Sequence, residues 1–207
     1  MSWTTHRSAD LRRKKSARRM IHMDRRPNIV YILADDMGYG DVSALNETCP
    51  FETPNFDAIA ENGVAFCDAH ASSAVCTPSR YSVLTGRYNW RSELKSSVIG
   101  GYSSPLIEKG RTTIASFLQR NGYHTAAVGK WHLGMDFAKG PDFEEIVDFA
   151  ACPDVDYSAP IASSPITNGF DYFYGISGSL DMPPYIYIEN DRFTAMPDHV
   201  TRGRGKG

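Results

Sequence analysis

The chain has 207 residues, of which 42% are hydrophobic and 22% charged, enough for one domain with a sizeable core and inconsistent with global disorder. No apolar run approaches the roughly 18 residues of a membrane span, so neither a transmembrane helix nor a membrane partner is expected. The net charge of −2 is unevenly spread: residues 1–26 hold nine of the 22 basic and two of the 24 acidic residues, leaving 13 basic against 22 acidic, or −9, for residues 27–207. An acidic body does not gather anions by its overall field, so an anionic substrate has to be held by local groups.

Residues 1–26 read as a basic, disordered leader and residues 27–207 as the folded body. The leader has a positive region but no apolar core behind it, so it is not a secretory signal. As it stands, the sequence places the protein in the cytoplasm. Met20 and Met23 offer alternative starts, which leave the periplasm or secretion open. Charge alone also fits a nucleic-acid-binding arm, but basic ends are commonly solvated tails, and no nucleic-acid partner is expected. The four cysteines, Cys49, Cys67, Cys76 and Cys152, form no C-x-x-C pair, which argues against structural zinc and leaves a disulfide open.

Along the body, Asn28 to Leu33 (NIVYIL) is an apolar run suited to a strand buried on both faces of a parallel sheet. Thr53 and Pro54 start a helix with Phe56, Ile59 and Ala60 on one face, and Gly63 stops it. Val64 to Phe66 begins a second strand. Thr112 caps another helix with an Ile114, Phe117, Leu118 stripe, ended by Gly122. Thr125 to Val128 follows as a buried strand, and Tyr185 to Ile188 as one more. Beyond Asp136, Pro141, Pro153, Pro160 and Pro165 punctuate long loops. Strands alternating with amphipathic helices predict an α/β fold with a largely parallel sheet flanked by helices.

Ligands of open α/β sheets gather beyond the carboxyl ends of the strands. Asp35 and Asp36 follow the first strand there, and Lys130, Trp131 and His132 follow the TAAV strand. A carboxylate pair suits a hard cation, and equally a solvated acidic turn. Thr77 and Pro78 predict a helix start that continues through Tyr81, Val83 and Leu84, placing Cys76 just before free backbone N–H groups, with Arg80 on the first turn. Such a cysteine is either a reactive thiolate or an inert, packed thiol. Lys130 can neutralise an anion and His132 can pass protons near neutral pH. Alternatively, Trp131 is a core anchor whose polar neighbours face water.

Ala74 to Arg80 (AVCTPSR) with Val83-Leu84-Thr85-Gly86 resembles the first sulfatase signature. Gly122 to His132 (GYHTAAVGKWH) resembles the second. Pro27 to Gly40 is similar to the family's opening strand and metal-binding aspartates, and Gly169 to Gly175 (GFDYFYG) to a later segment of bacterial members. Four blocks in the family's order make coincidence a poor explanation.

The resemblance implies an arylsulfatase-like core of the alkaline-phosphatase-like superfamily, normally holding one calcium ion. It implies hydrolysis of a small-molecule or saccharide sulfate ester to alcohol and sulfate. In the family the cysteine, here Cys76, is oxidised to formylglycine by a formylglycine-generating enzyme. One hydroxyl of the hydrated aldehyde attacks sulfur, and the other drives release of sulfate. Asp35 and Asp36 would then be calcium ligands, with the modified Cys76 also facing the metal. Arg80 would steady the formylglycine, Lys130 would bridge sulfate and nucleophile, and His132 would assist the elimination.

The family's downstream Asp-Asn pair, second histidine and second lysine have no match. Glu189-Asn190-Asp191 has the wrong order, and His199 lacks a preceding apolar strand. The sequence therefore reads as the front part of a longer protein, ending in a loop-like stretch over 202–207 and poorly active alone. A phosphate or phosphonate ester hydrolase of the same superfamily and a non-catalytic module are the alternatives.

Overall fold

The computed structural model describes residues 26–143 and 152–199. Apart from Arg26, the basic leader lies outside the described residues, as does the loop-like end at 202–207. The chain divides into two units, Met1–Val64 and Ala65–Gly207.

In the first unit, helix α1 spans Pro54–Asn62, with Thr53 as N-cap, proline in the first turn and Gly63 after it. Proline fits there because its missing N–H would have had no intrahelical partner. The Thr53 side chain turns away from the helix backbone. Its hydroxyl accepts from the Ser43 N–H (2.9 Å) and donates to Asp57 Oδ1 (3.0 Å), while Ser43 Oγ donates to Asp57 Oδ2 (2.7 Å). These bonds fasten the second of two short 3₁₀ turns, Tyr39–Asp41 and Ser43–Leu45, to α1. Residues 28–33 form no regular element, belong to no sheet and are exposed, Val30 to 83%. The expected first strand is thus absent among the described residues. Composition selects extended backbone, whereas a strand also needs neighbours on which to pair.

The second unit holds α2 (Cys76–Thr85), α3 (Ile114–Arg120) and a four-stranded sheet, β1 (Ala126–Lys130), β2 (Tyr172–Ile176), β3 (Ile188–Glu189) and β4 (Arg192–Phe193), in that order. Only β1 and β2 run parallel; β2–β3 and β3–β4 are antiparallel. The expectation of a largely parallel sheet is therefore wrong: the core is α/β, but most pairings are antiparallel. For β3 and β4 the cause is local connection length. Asn190 and Asp191 form a two-residue turn between β3 and β4, and only an antiparallel return is that short. Asn190 takes a φ of 56°, and its side chain accepts from the Phe173 N–H at 3.0 Å. Of the two other expected strands, 64–66 is coil and 185–188 contributes only Ile188.

The core gathers Tyr81, Trp131, Leu133, Met135, Phe137, Val155, Ile161, Phe173 and Ile188. Trp131 packs edge-on against Phe170 and Phe173 at centroid distances of 6.2 and 6.4 Å. The stripe expected on α3 is misplaced: Ala115 is buried, whereas Ile114 and Phe117 are half exposed. Backbone crosses that face closely, since a Cβ on Gly169 would lie 2.3 Å from the Ser116 nitrogen, so only small side chains fit beneath it.

Gly129 and Gly175 pair across β1 and β2. A Cβ on Gly175 would stand 1.8 Å from the Gly129 carbonyl oxygen. Gly175→Ala is therefore expected to destabilise the fold by about 1–3 kcal/mol, measured as a lowered denaturation midpoint; an unshifted midpoint would contradict this register.

Candidate active site

The site of the second unit is built where α2 begins and β1 ends. Val75 is the N-cap in extended conformation, so Cys76 is the first helical residue rather than the one before it. Thr77, expected to cap, is instead fully buried and accepts from the Ile99 N–H at 3.4 Å. Pro78 is the third helical residue, still within the turn whose N–H groups lack intrahelical acceptors. Cys76 is half-buried with a free thiol, and the other three cysteines are also free.

Arg80 lies one turn beyond Cys76 and shares its helix face. Its Nη1 donates to the backbone carbonyl of Lys130, which fastens α2 to the carboxyl end of β1. Lys130 is the last residue of β1, and its Nζ donates to Ser179 Oγ at 3.2 Å. Arg80 and Lys130 are thus joined through a backbone carbonyl, and both of their charges act on His132, a local arrangement suited to an anion despite the acidic body.

The β1–β2 ladder continues beyond the strands, with Trp131 N–H bonding Ile176 O (3.0 Å) and His132 N–H bonding Ser177 O (2.9 Å). His132 is fully buried with a φ of 55°, so it does not face water as a flank of Trp131 would. Its Nε2 lies 2.6 Å from the Ile99 carbonyl. A carbonyl only accepts, so Nε2 carries the hydrogen and Nδ1 of the neutral ring is an acceptor. Nδ1 is buried and has no hydrogen-bond partner among the described residues. Burial above all holds the His132 pKa below 6.5; the Lys130 and Arg80 charges lower it further, against the Ile99 bond and Asp181.

As pH falls, the unfolded chain takes up this proton before the folded one does. His132 thus contributes stability that is complete above about pH 6.5 and declines as pH falls toward the folded value. Denaturation midpoints of His132→Gln are expected to lose that share of the acid slope; an unchanged slope would contradict a buried neutral imidazole.

The site also contains residues whose part in it the sequence did not reveal. Ile99 acts through its backbone, joining Thr77 to His132. Ser179 and Asp181 lie in a turn closed by Met182 N–H to Ser179 O at 3.1 Å. The nearby Ser179 above all, then the residue's own backbone N–H and the Lys130 charge, hold the Asp181 carboxyl below its ordinary pKa, against its partial burial. This turn carries Asp181 close to Lys130 and His132.

Asp35 and Asp36 belong to the first unit, where they form an exposed bend with Asp36 at a φ of 56°. Among the described residues no group of three or more His, Cys, Asp or Glu side chains could hold a metal ion. No helix among them is long and apolar enough to cross a membrane.

A family model described as Sulfatase matches residues 27–196. The N-acetylgalactosamine-6-O-sulfatase of Bacteroides thetaiotaomicron is 40% identical over 165 residues, covering 80% of this chain and 29% of that protein. Arylsulfatase G of Rattus norvegicus is 41% identical over 161 residues, covering 76% and 25%. A solved structure from work on the metabolism of multiple glycosaminoglycans by Bacteroides thetaiotaomicron superimposes with a TM-score of 0.70 at 35% identity, covering 83% of this chain and 32% of that one. The chain thus spans less than a third of the length of each of these relatives.

Proposed function

Because the chain belongs to the sulfatase family, we propose that it carries the nucleophile-bearing part of a site that hydrolyses a sulfate monoester to alcohol and sulfate. The observation that carries this reading is the convergence of Arg80, Lys130 and neutral His132 at the helix start bearing Cys76. When Cys76 is oxidised to formylglycine by its maturation enzyme, the hydrated aldehyde supplies a nucleophilic hydroxyl and a second one for releasing sulfate.

The chain's own residues then have defined tasks. Lys130 holds a sulfate oxygen and offsets charge that shifts during transfer. Arg80, tied to the Lys130 carbonyl, keeps that strand end in register with the start of α2. His132 accepts a proton at Nδ1, because Nε2–H is already committed to Ile99. Its depressed pKa keeps that lone pair available at neutral pH.

Asp35 and Asp36 would offer calcium two of the hard oxygen donors it favours, out of the six to eight oxygens it takes. These residues fit the ion in kind and supply part of its shell. When bound, the ion acts as a Lewis acid on a sulfate oxygen. The names of the relatives favour a sulfated sugar or an aryl sulfate as substrate.

The test is turnover of an aryl sulfate against the matching aryl phosphate by the formylglycine-bearing protein. Sulfate is expected to be preferred; preference for phosphate would move the activity to an ester-hydrolase relative of the same superfamily. Chelation is expected to remove about a hundredfold or more of the rate, restored by calcium. Full activity after exhaustive chelation would overturn the metal assignment.

A further inference from the structure

We propose that the stacked rings of Tyr88 and Trp90, with Arg91 and Lys95 beside them, form a subsite for an oligosaccharide bearing sulfate or carboxylate groups. The inference rests on the sulfate-ester reading of the site and names the class of substrate that it takes.

Single exposed aromatic side chains need no explanation on a protein surface. These two are held as a pair. The Tyr88 and Trp90 ring centroids lie 4.1 Å apart with planes at 12°, and each residue is 58% exposed. They are carried by a 3₁₀ turn, Asn89–Arg91, which follows Gly86, the left-handed residue that ends α2. Arg91 N–H donates to the Tyr88 carbonyl (3.1 Å) and Ser92 N–H to the Asn89 carbonyl (2.9 Å). Lys95 Nζ donates to the carbonyls of Ser92 (2.7 Å) and Trp90 (3.3 Å). The turn is thus ordered before any ligand arrives, which lowers the entropic cost of binding. An aromatic ring presents a negative face, and the C–H face of a sugar is apolar with positively polarised hydrogens. The two stack while the sugar hydroxyls stay in water.

The surrounding charge selects an anionic sugar. The carbonyls that hold Lys95 leave its charge unneutralised, and Arg91 is exposed. One residue before Tyr88, Arg87 shares Glu108 with Arg111, at 2.7 and 3.3 Å, so one carboxylate faces two guanidiniums. Glu93 is the one opposing carboxylate between Tyr88 and Ile99. Stacked aromatics and cations also suit single-stranded nucleic acid, but the acidic body repels so long a polyanion.

The subsite is connected to the reacting end. Cys76 opens the ten-residue α2 and the aromatic turn follows its other end, roughly 15 Å along the helix axis. The chain then returns to the helix start, where Ile99 N–H bonds Thr77 at 3.4 Å and the Ile99 carbonyl accepts from His132. An ester group at Cys76 and a ring on Trp90 therefore belong to a chain of several sugars.

Calorimetric titration with a chondroitin sulfate tetrasaccharide tests this, with the matching monosaccharide sulfate and a single-stranded DNA oligomer as comparisons. Trp90→Ala and Tyr88→Ala are each expected to raise the tetrasaccharide Kd by about fivefold or more at an unchanged melting temperature. Trp90→Phe is expected to retain most of the affinity. Arg91→Ala is expected to weaken binding and flatten its dependence on salt. The monosaccharide is expected to bind the unsubstituted protein about tenfold more weakly. An unchanged Kd in Trp90→Ala, or equal affinity for the monosaccharide or the DNA, would overturn the proposal. Binding needs no oxidised Cys76, so the two readings fail separately. Tetrasaccharide binding of this kind without hydrolysis of any sulfate ester would refute the reading of the site and support the subsite. Hydrolysis of an aryl sulfate without tetrasaccharide binding would refute the subsite alone.

Discussion

Replacing Cys76 by alanine is expected to lower sulfate-ester hydrolysis by about a thousandfold or more, because covalent catalysis then has no nucleophile. The change should leave the fold intact. Cys76 is half-buried with a free thiol, and the helix start depends instead on Val75 and on the Thr77 bond to Ile99. An unaltered melting temperature alongside lost turnover separates chemistry from folding. Serine at the same position provides a sharper comparison. Its hydroxyl can attack sulfur once, but it has no second oxygen on the same carbon to expel sulfate. Cys76→Ser left unoxidised is therefore expected to accumulate a covalent sulfate ester without steady turnover. Ordinary turnover by either variant would contradict the assignment of Cys76.

The second large effect is expected at Lys130. Truncation to alanine removes the ammonium that offsets charge on the transferring sulfate, and losses of about 10²–10³ in kcat follow from removing one such preorganised group. The backbone carbonyl that accepts from Arg80 remains in the variant, so the link between α2 and β1 survives. The loss should fall more on kcat than on KM if the interaction strengthens in the transition state. Arginine is expected to rescue poorly, since a planar fork does not reproduce the point donor that Ser179 accepts at 3.2 Å. A kcat within a few-fold of the unsubstituted protein would remove Lys130 from the mechanism.

Local signals in the sequence were legible where the structure depends on local chemistry. Thr53-Pro54 and Gly63 bracket α1 as written, and the TAAV strand appears over Ala126–Lys130, although Ala126 and Val128 are exposed where a buried strand was expected. Thr77 was misread because its hydroxyl bonds to Ile99, 22 residues away, rather than to its own helix. Pairing was the least legible feature. NIVYIL has the composition of a buried strand, yet its place in a sheet depends on neighbours that no local pattern specifies. The α3 stripe failed for a similar reason, since the approach of Gly169 decides which side chains fit on that helix.

The chemistry-bearing side chains Cys76, Arg80, Lys130 and His132 were found through motifs, and α2 and the end of β1 bring Arg80, Lys130 and His132 together. The tautomer of His132 was not legible, because a backbone carbonyl sets it and any residue can supply one. Glu189-Asn190-Asp191, rejected as a metal pair for its order, forms the β3–β4 turn.

In the proposed function Cys76 is a precursor, and its aldehyde performs the reaction. Mass spectrometry of the Cys76 peptide from catalytically active protein tests it most directly. Formylglycine is expected at position 76, with the thiol gone and an aldehyde that reacts with hydrazides, in proportion to activity. A fully active preparation in which Cys76 is wholly an unmodified thiol would contradict it.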